Sequence, residues 1–168
     1  GREMMTGIWQ EELAARGTIT EPQEQLLERG KGYQEYLSPV SVGKDSVLYI
    51  KYSYNNAALL VLVSGGKEEV IRGFSASASG FRCHGDHIYF TENISSSRWG
   101  NSAFGALFRY NWKSGLKGGG ERGIKRLSGR TFYKSPDISV TGDTLLVGEF
   151  FPQGGSALAL LDAGSGEV

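Results

Sequence analysis

Several things the chain lacks narrow what it can be. Its 168 residues include one cysteine, so no internal disulfide framework holds it together, and cysteine usage names no redox compartment. Neither charge is in excess: 18 Lys and Arg face 18 Asp and Glu, which leaves no electrostatic footprint for nucleic acid or an acidic partner. No run of about 18 apolar residues occurs, so no membrane span is expected. The phosphate-loop pattern G-x-x-x-x-G-K-S/T, the zinc pattern H-E-x-x-H and the nucleophile elbow G-x-S-x-G are all missing. Proline is scarce, at 4 residues.

Glycine is abundant, at 25 residues, and it is dispersed at turn-like positions. That pattern favours many short strands joined by tight turns over a disordered linker. The length is enough for one domain with a core. Position 1 is Gly, and the last residues, Asp162 to Val168, stop where a further strand is due. We therefore expect a piece of a longer polypeptide, with any address signal outside it.

Residues 1–32 differ from the rest. Ile8, Trp9, Leu13 and Ala14 share one helical face, and Gly17 follows as a stop. Thr20-Glu21-Pro22-Gln23 fits a capping box, with Pro22 tolerated in a first turn. A second helix then runs to about Arg29 and stops at Gly30. Both helices are short and polar and need a surface to pack on.

From Tyr33 onward the pattern is strand and turn. In Val47 to Tyr54, Leu48, Ile50, Tyr52 and Tyr54 share a face opposite Lys51 and Ser53. Ala57 to Val63 is a continuous apolar run that predicts a strand buried on both faces. Ser64-Gly65-Gly66 turns the chain into a polar outer strand, Lys67 to Arg72. In the middle unit, Gly80–Cys83 and His87–Glu92 flank Gly85-Asp86, and Asn93 to Ala103 reads as a long polar loop. Gly105 to Trp112 places Ala106, Phe108, Tyr110 and Trp112 on one face, and a glycine-rich loop, Lys113 to Gly123, leads to an outer strand, Ile124 to Leu127. The final unit has a turn at Gly142-Asp143 and another at Gly164-Ser165-Gly166.

The first turns repeat as Val42-Gly43-Lys44, His84-Gly85-Asp86 and Thr141-Gly142-Asp143, and Ser38-Pro39 matches Ser135-Pro136. A period of roughly 40–45 residues with four strands per unit is the signature of propeller blades. The expectation is an all-β fold: a partial β-propeller of about two and a half four-stranded antiparallel blades, preceded by two short helices. The blades fall at about 33–73, 74–133 and 134–168, within an incomplete propeller domain spanning 33–168.

Ser38-Pro39-x-Ser41-Val42-Gly43-Lys44 and Ser135-Pro136-Asp137-Ile138-Ser139-Val140-Thr141-Gly142-Asp143 resemble the blade opening of TolB-like (WD40-like) β-propellers. Val47-Leu48-Tyr49 and Ile88-Tyr89-Phe90 match the strand that follows it, and Leu160-Leu161-Asp162-x-Gly164 matches a typical third-strand end. The middle unit lacks Ser-Pro. More faintly, Thr6-Gly7-Ile8-Trp9-Gln10-Glu11 is similar to the end of a bacterial zinc metallopeptidase domain that precedes such propellers, although the zinc motif is absent. The resemblance implies a bacterial cell-envelope protein, periplasmic, outer-membrane-associated or secreted.

Among candidate sites, Cys83, His84, Asp86 and His87 form the one dense cluster of ligand-type residues, and their donors suit zinc. Against that, Gly85 fills the repeated turn position, and a two-residue turn aims four ligands at one ion poorly. They are read as turn residues, with Cys83 packed as a small hydrophobe, and no metal or other cofactor is assigned. Lys113 to Gly123 lacks the helix that phosphate cradling needs. Glu92 and Glu149 end strands in adjacent units and could meet at one rim, with ion-paired or solvated side chains the default. Arg98, Trp99 and Asn101 sit on the long loop and have binding-site composition; the Trp could equally tuck beneath its own loop. No catalytic residue is assigned. The leading reading is a non-catalytic scaffold that binds a protein, peptide or other ligand, completed by further blades of the same polypeptide. The alternative is an accessory propeller of a peptidase, with a zinc metallopeptidase domain upstream or a prolyl oligopeptidase-type Ser hydrolase domain downstream.

Overall fold

The computed structural model describes residues 32–54, 56–74, 80–95, 103–116, 120–129 and 132–168, together with Ala15 and Leu27. The two expected N-terminal helices otherwise lie outside the described residues.

The protein is all-β. Its strands form three antiparallel sheets, each a meander in which consecutive strands pair. The first sheet comprises β1 (Gln34–Gly43), β2 (Ser46–Ser53), β3 (Asn56–Ser64) and β4 (Lys67–Gly73). The second comprises β5 (Phe81–His84), β6 (His87–Ser95), β7 (Ala103–Asn111) and β8 (Ile124–Arg126). The third holds β9 (Phe132–Ile138), β10 (Thr144–Phe150) and β11 (Ser156–Asp162). β9 thus opens slightly ahead of the expected boundary at 134.

Side-chain alternation decides how the sheets meet. Leu48, Ile50, Ala58, Leu60 and Ile71 of the first sheet are buried in one cluster with Phe81, Ile88, Phe90 and Tyr110 of the second. The opposite face of the second sheet gives Tyr89 and Leu107 to another cluster, shared with Tyr133, Leu145, Val147 and Leu161 of the third. The sheets therefore stack face to face in chain order. β1 lies beside β5, and β5 beside β9. Burying an aliphatic or aromatic side chain of this size contributes roughly 1.5–3 kcal/mol, more than a typical backbone hydrogen bond adds net, so these two layers are the main source of cohesion.

The apolar run in β3 is buried on both faces, as its composition predicts. Ala58 and Leu60 point toward the second sheet, whereas Val61 and Val63 pack with Tyr49 on the far side, where Leu27 joins them. Leu48, Ile50 and the partly buried Tyr52 share a face as expected, but Tyr54 lies beyond the strand and is exposed.

Ser38 and Ser135 are the two described non-glycine residues with positive φ, at 53° and 51°. Each precedes a proline in the first strand of its sheet, and each lies at a break in ladder register. A residue before proline is pushed out of the right-handed α region, and a bulge absorbs the extra length. The Ser-Pro repeat read from the sequence is thus also a repeat of backbone shape.

The glycine repeat is looser. Gly43 is the last residue of β1 and pairs with Ser46, so Lys44 and Asp45 make that turn. Gly85 does stand in its turn, between the paired His84 and His87, and Gly142 belongs to a longer connection between Ile138 and Leu145. Two expected loops also shrink. β6 and β7 stay paired as far as Ser95 and Ala103, which shortens the predicted 93–103 loop, because each added ladder position satisfies backbone groups. Trp112–Ser114 forms a helical turn inside the glycine-rich loop, seated by burial of Trp112 in the first cluster.

Candidate binding site

The turn carrying Cys83, His84, Asp86 and His87 sits at one end of the second sheet, against the β9–β10 connection. Cys83 Sγ faces the Gly85 carbonyl at 3.6 Å, and burial pushes its thiol pKa up, with Asp86 adding to the shift. His84 Nε2 lies 3.2 Å from the Val140 carbonyl, so the Nε2–H tautomer donates there. Asp86 pairs with Lys113 at 2.7 Å, and Trp112 Nε1 donates to the Gly85 carbonyl at 3.2 Å. Burial lowers the His87 pKa, and the Arg109 charge lowers it further. These side chains interlock neighbouring segments. Among the described residues no group of three or more His, Cys, Asp or Glu is placed to hold a metal ion.

The adjoining connection is built around Asp143. The hydroxyls of Thr141, Ser139 and Thr144 donate to Asp143 Oδ1 at 2.6, 2.9 and 3.0 Å. These bonds hold its carboxyl pKa down at about 2, although the group is exposed. Arg82 reaches across from β5 to Asp137 at 3.0 Å. Beside them is a shallow groove of about 230 Å³, lined by Asp137, Ile138, Ser139, Thr144, Leu146 and Leu160.

A charged side chain is enclosed as well. Arg72 has a side chain only 7% exposed, with its guanidinium carbon 5.0, 5.2 and 5.5 Å from the ring centres of Phe74, Phe90 and Tyr110. It forms ion pairs with Glu92 at 3.7 Å and Glu121 at 3.6 Å, and its Nε donates to the Gly73 carbonyl. Strand alternation places it on a polar outer strand. The sequence signal that could have flagged it is the Arg72-Gly73-Phe74 run, a cation beside an aromatic at a strand end. Glu92 is thus committed to Arg72; Glu149 lies opposite Tyr133 and Ala157 in the third sheet.

Arg98, Trp99 and Asn101 lie outside the described residues. The ends of β6 and β7 at Ser95 and Ala103 fix where their loop leaves and rejoins the second sheet. Among the described residues no helix is long and apolar enough to cross a membrane. No family model and no curated protein matches the chain.

Proposed function

We propose that the chain is a β-propeller segment of the TolB-like kind, acting as a non-catalytic scaffold that binds a protein or peptide partner in a bacterial cell-envelope or secreted protein. The observation that carries this reading is the face-to-face stacking of consecutive antiparallel meanders with their first strands β1, β5 and β9 side by side. Blades placed around an axis have that relation. The matching kinks at Ser38 and Ser135 support it, since they give the first strands of two sheets the same bend.

A scaffold of this kind presents its loops, and the loop between β6 and β7 carries Arg98 and Trp99, residue types that anchor protein contacts. Panning a displayed peptide library on the whole chain tests the reading. Enriched peptides should lose roughly tenfold or more in affinity with Trp99→Ala or Arg98→Ala, the effect of removing one anchor. The unfolding midpoint should stay unchanged in both variants. Failure of the wild-type chain to enrich any peptide, or full affinity in both variants, overturns the proposal.

A further inference from the structure

The two faces of the first sheet are covered differently. Toward the second sheet the apolar contact runs across every strand, with Leu37 and Val40 of β1, Leu48 of β2, Leu60 of β3 and Ile71 of β4 in one cluster. The far face is buried along its two central strands, where Tyr49 of β2 meets Val61 and Val63 of β3, with Val61 only 1% exposed. The flanking strands stay open on that side. Tyr36, opposite Lys51, is 43% exposed, and Val70, opposite Val61, is 56% exposed. Where no described element lies over a central strand, exposure is far higher than at Val61: Leu146 on β10, turned away from the second sheet, is 40% exposed.

The strip over β2 and β3 is therefore covered by something narrow. Strands about 4.8 Å apart make a strip two strands wide roughly 10 Å across, the width of one helix and about half that of a four-stranded sheet. Among the described residues, one member of this cluster comes from outside the first sheet, and it is Leu27. Residues 28–33 link Leu27 to the start of β1. A link of that length reaches roughly 20 Å when extended, against about 10 Å from β1 across to β3. Residues 20–31, TEPQEQLLERGK, carry one pair of large apolar side chains, Leu26-Leu27, between charged and amide residues. That is the composition of a segment with one buried side.

We propose that residues 20–31 are a strap that lies across β2 and β3 and seals the far face of the first sheet, with Leu27 as its apolar anchor. The contact is apolar, because the polar groups beside the strip are satisfied within the sheet: the Tyr49 hydroxyl donates to Glu68, which also pairs with Lys51. With the strap in place no other sheet can stack on this face, and a further meander is left only the third sheet to pack on. The inference rests on the burial pattern and is independent of the propeller reading and of the loop that carries Trp99.

Thiol labelling of the whole chain in a Cys83→Ser background reads the cover directly. Val61→Cys should react with a maleimide roughly tenfold or more slowly than Leu146→Cys, since it is reached only when the strap opens. Adding Leu27→Asp should speed the labelling of Val61→Cys roughly tenfold or more and leave that of Leu146→Cys unchanged, because a carboxylate is expelled from an apolar contact. A circular dichroism melt verifies that this variant folds. Cross-linking needs no destabilising charge and decides the matter if it does not: Leu27→Cys should join Val61→Cys through a short bismaleimide and should not join Leu146→Cys. Labelling of Val61→Cys as fast as Leu146→Cys overturns the proposal. So does slow labelling that a folded Leu27→Asp variant leaves unchanged, or equal cross-linking of the two pairs.

Discussion

Asp143 is exposed, yet it is the most strongly perturbed carboxylate among the described residues, because the Thr141, Ser139 and Thr144 hydroxyls all donate to one of its oxygens. Its pKa is depressed on folding, from an ordinary 3.8 to about 2. The stability it contributes is therefore present above the unfolded value and is lost as pH falls through the folded one. We expect Asp143→Asn to lower the melting temperature by a constant amount from neutral pH down to about 4, with the gap to wild type closing toward pH 2. Thermal melts in a pH series check this, and a gap that widened on acidification would contradict it. The Thr141 and Asp143 positions are visible in the sequence as turn residues, since short polar side chains compete for local backbone groups. Their convergence on one carboxylate oxygen is not, because it depends on how the connection folds back on itself.

Strand β4 shows where periodicity fails. Strict alternation would send Ile71 and Arg72 to opposite faces, but the ladder slips between Leu60–Arg72 and Val61–Val70, leaving one residue extra. That bulge lets both side chains enter the layer between the first and second sheets. Arg72 lies there against three rings, paired with Glu92, whose side chain is 15% exposed. Arg72→Ala removes that packing and the ion pair together and should cost about 2–4 kcal/mol. Arg72→Met keeps the stem against the rings and should cost less. Urea unfolding midpoints distinguish the two, and equal losses would mean that the ring contacts contribute nothing. β2 and β3 were legible because they keep a pattern of period two or a full apolar run. β4 was legible as a strand but not as the owner of a buried cation.

In the whole molecule, the two interleaved apolar layers set the distance between sheets, and Gly105 shows how close that distance becomes. A Cβ at Gly105 would stand 2.5 Å from the Tyr133 carbonyl oxygen, a backbone atom that cannot move aside without shifting β9. Gly105→Ala should therefore cost about 1–3 kcal/mol by overpacking, and the loss should be readable as a lower urea midpoint with an unchanged m-value. A neutral outcome would mean that the second and third sheets are not held at this spacing. Turn chemistry and alternation, both local properties, were enough to give the all-β class, the tandem of small meanders and the Ser-Pro opening of two units, because each depends on residues a few positions apart. The face each sheet turns to its neighbour, the burial of Arg72 and the approach at Gly105 were settled by packing instead. They depend on register breaks and on contacts between residues far apart in the chain, and a single displaced ladder position is enough to change which side chain is buried.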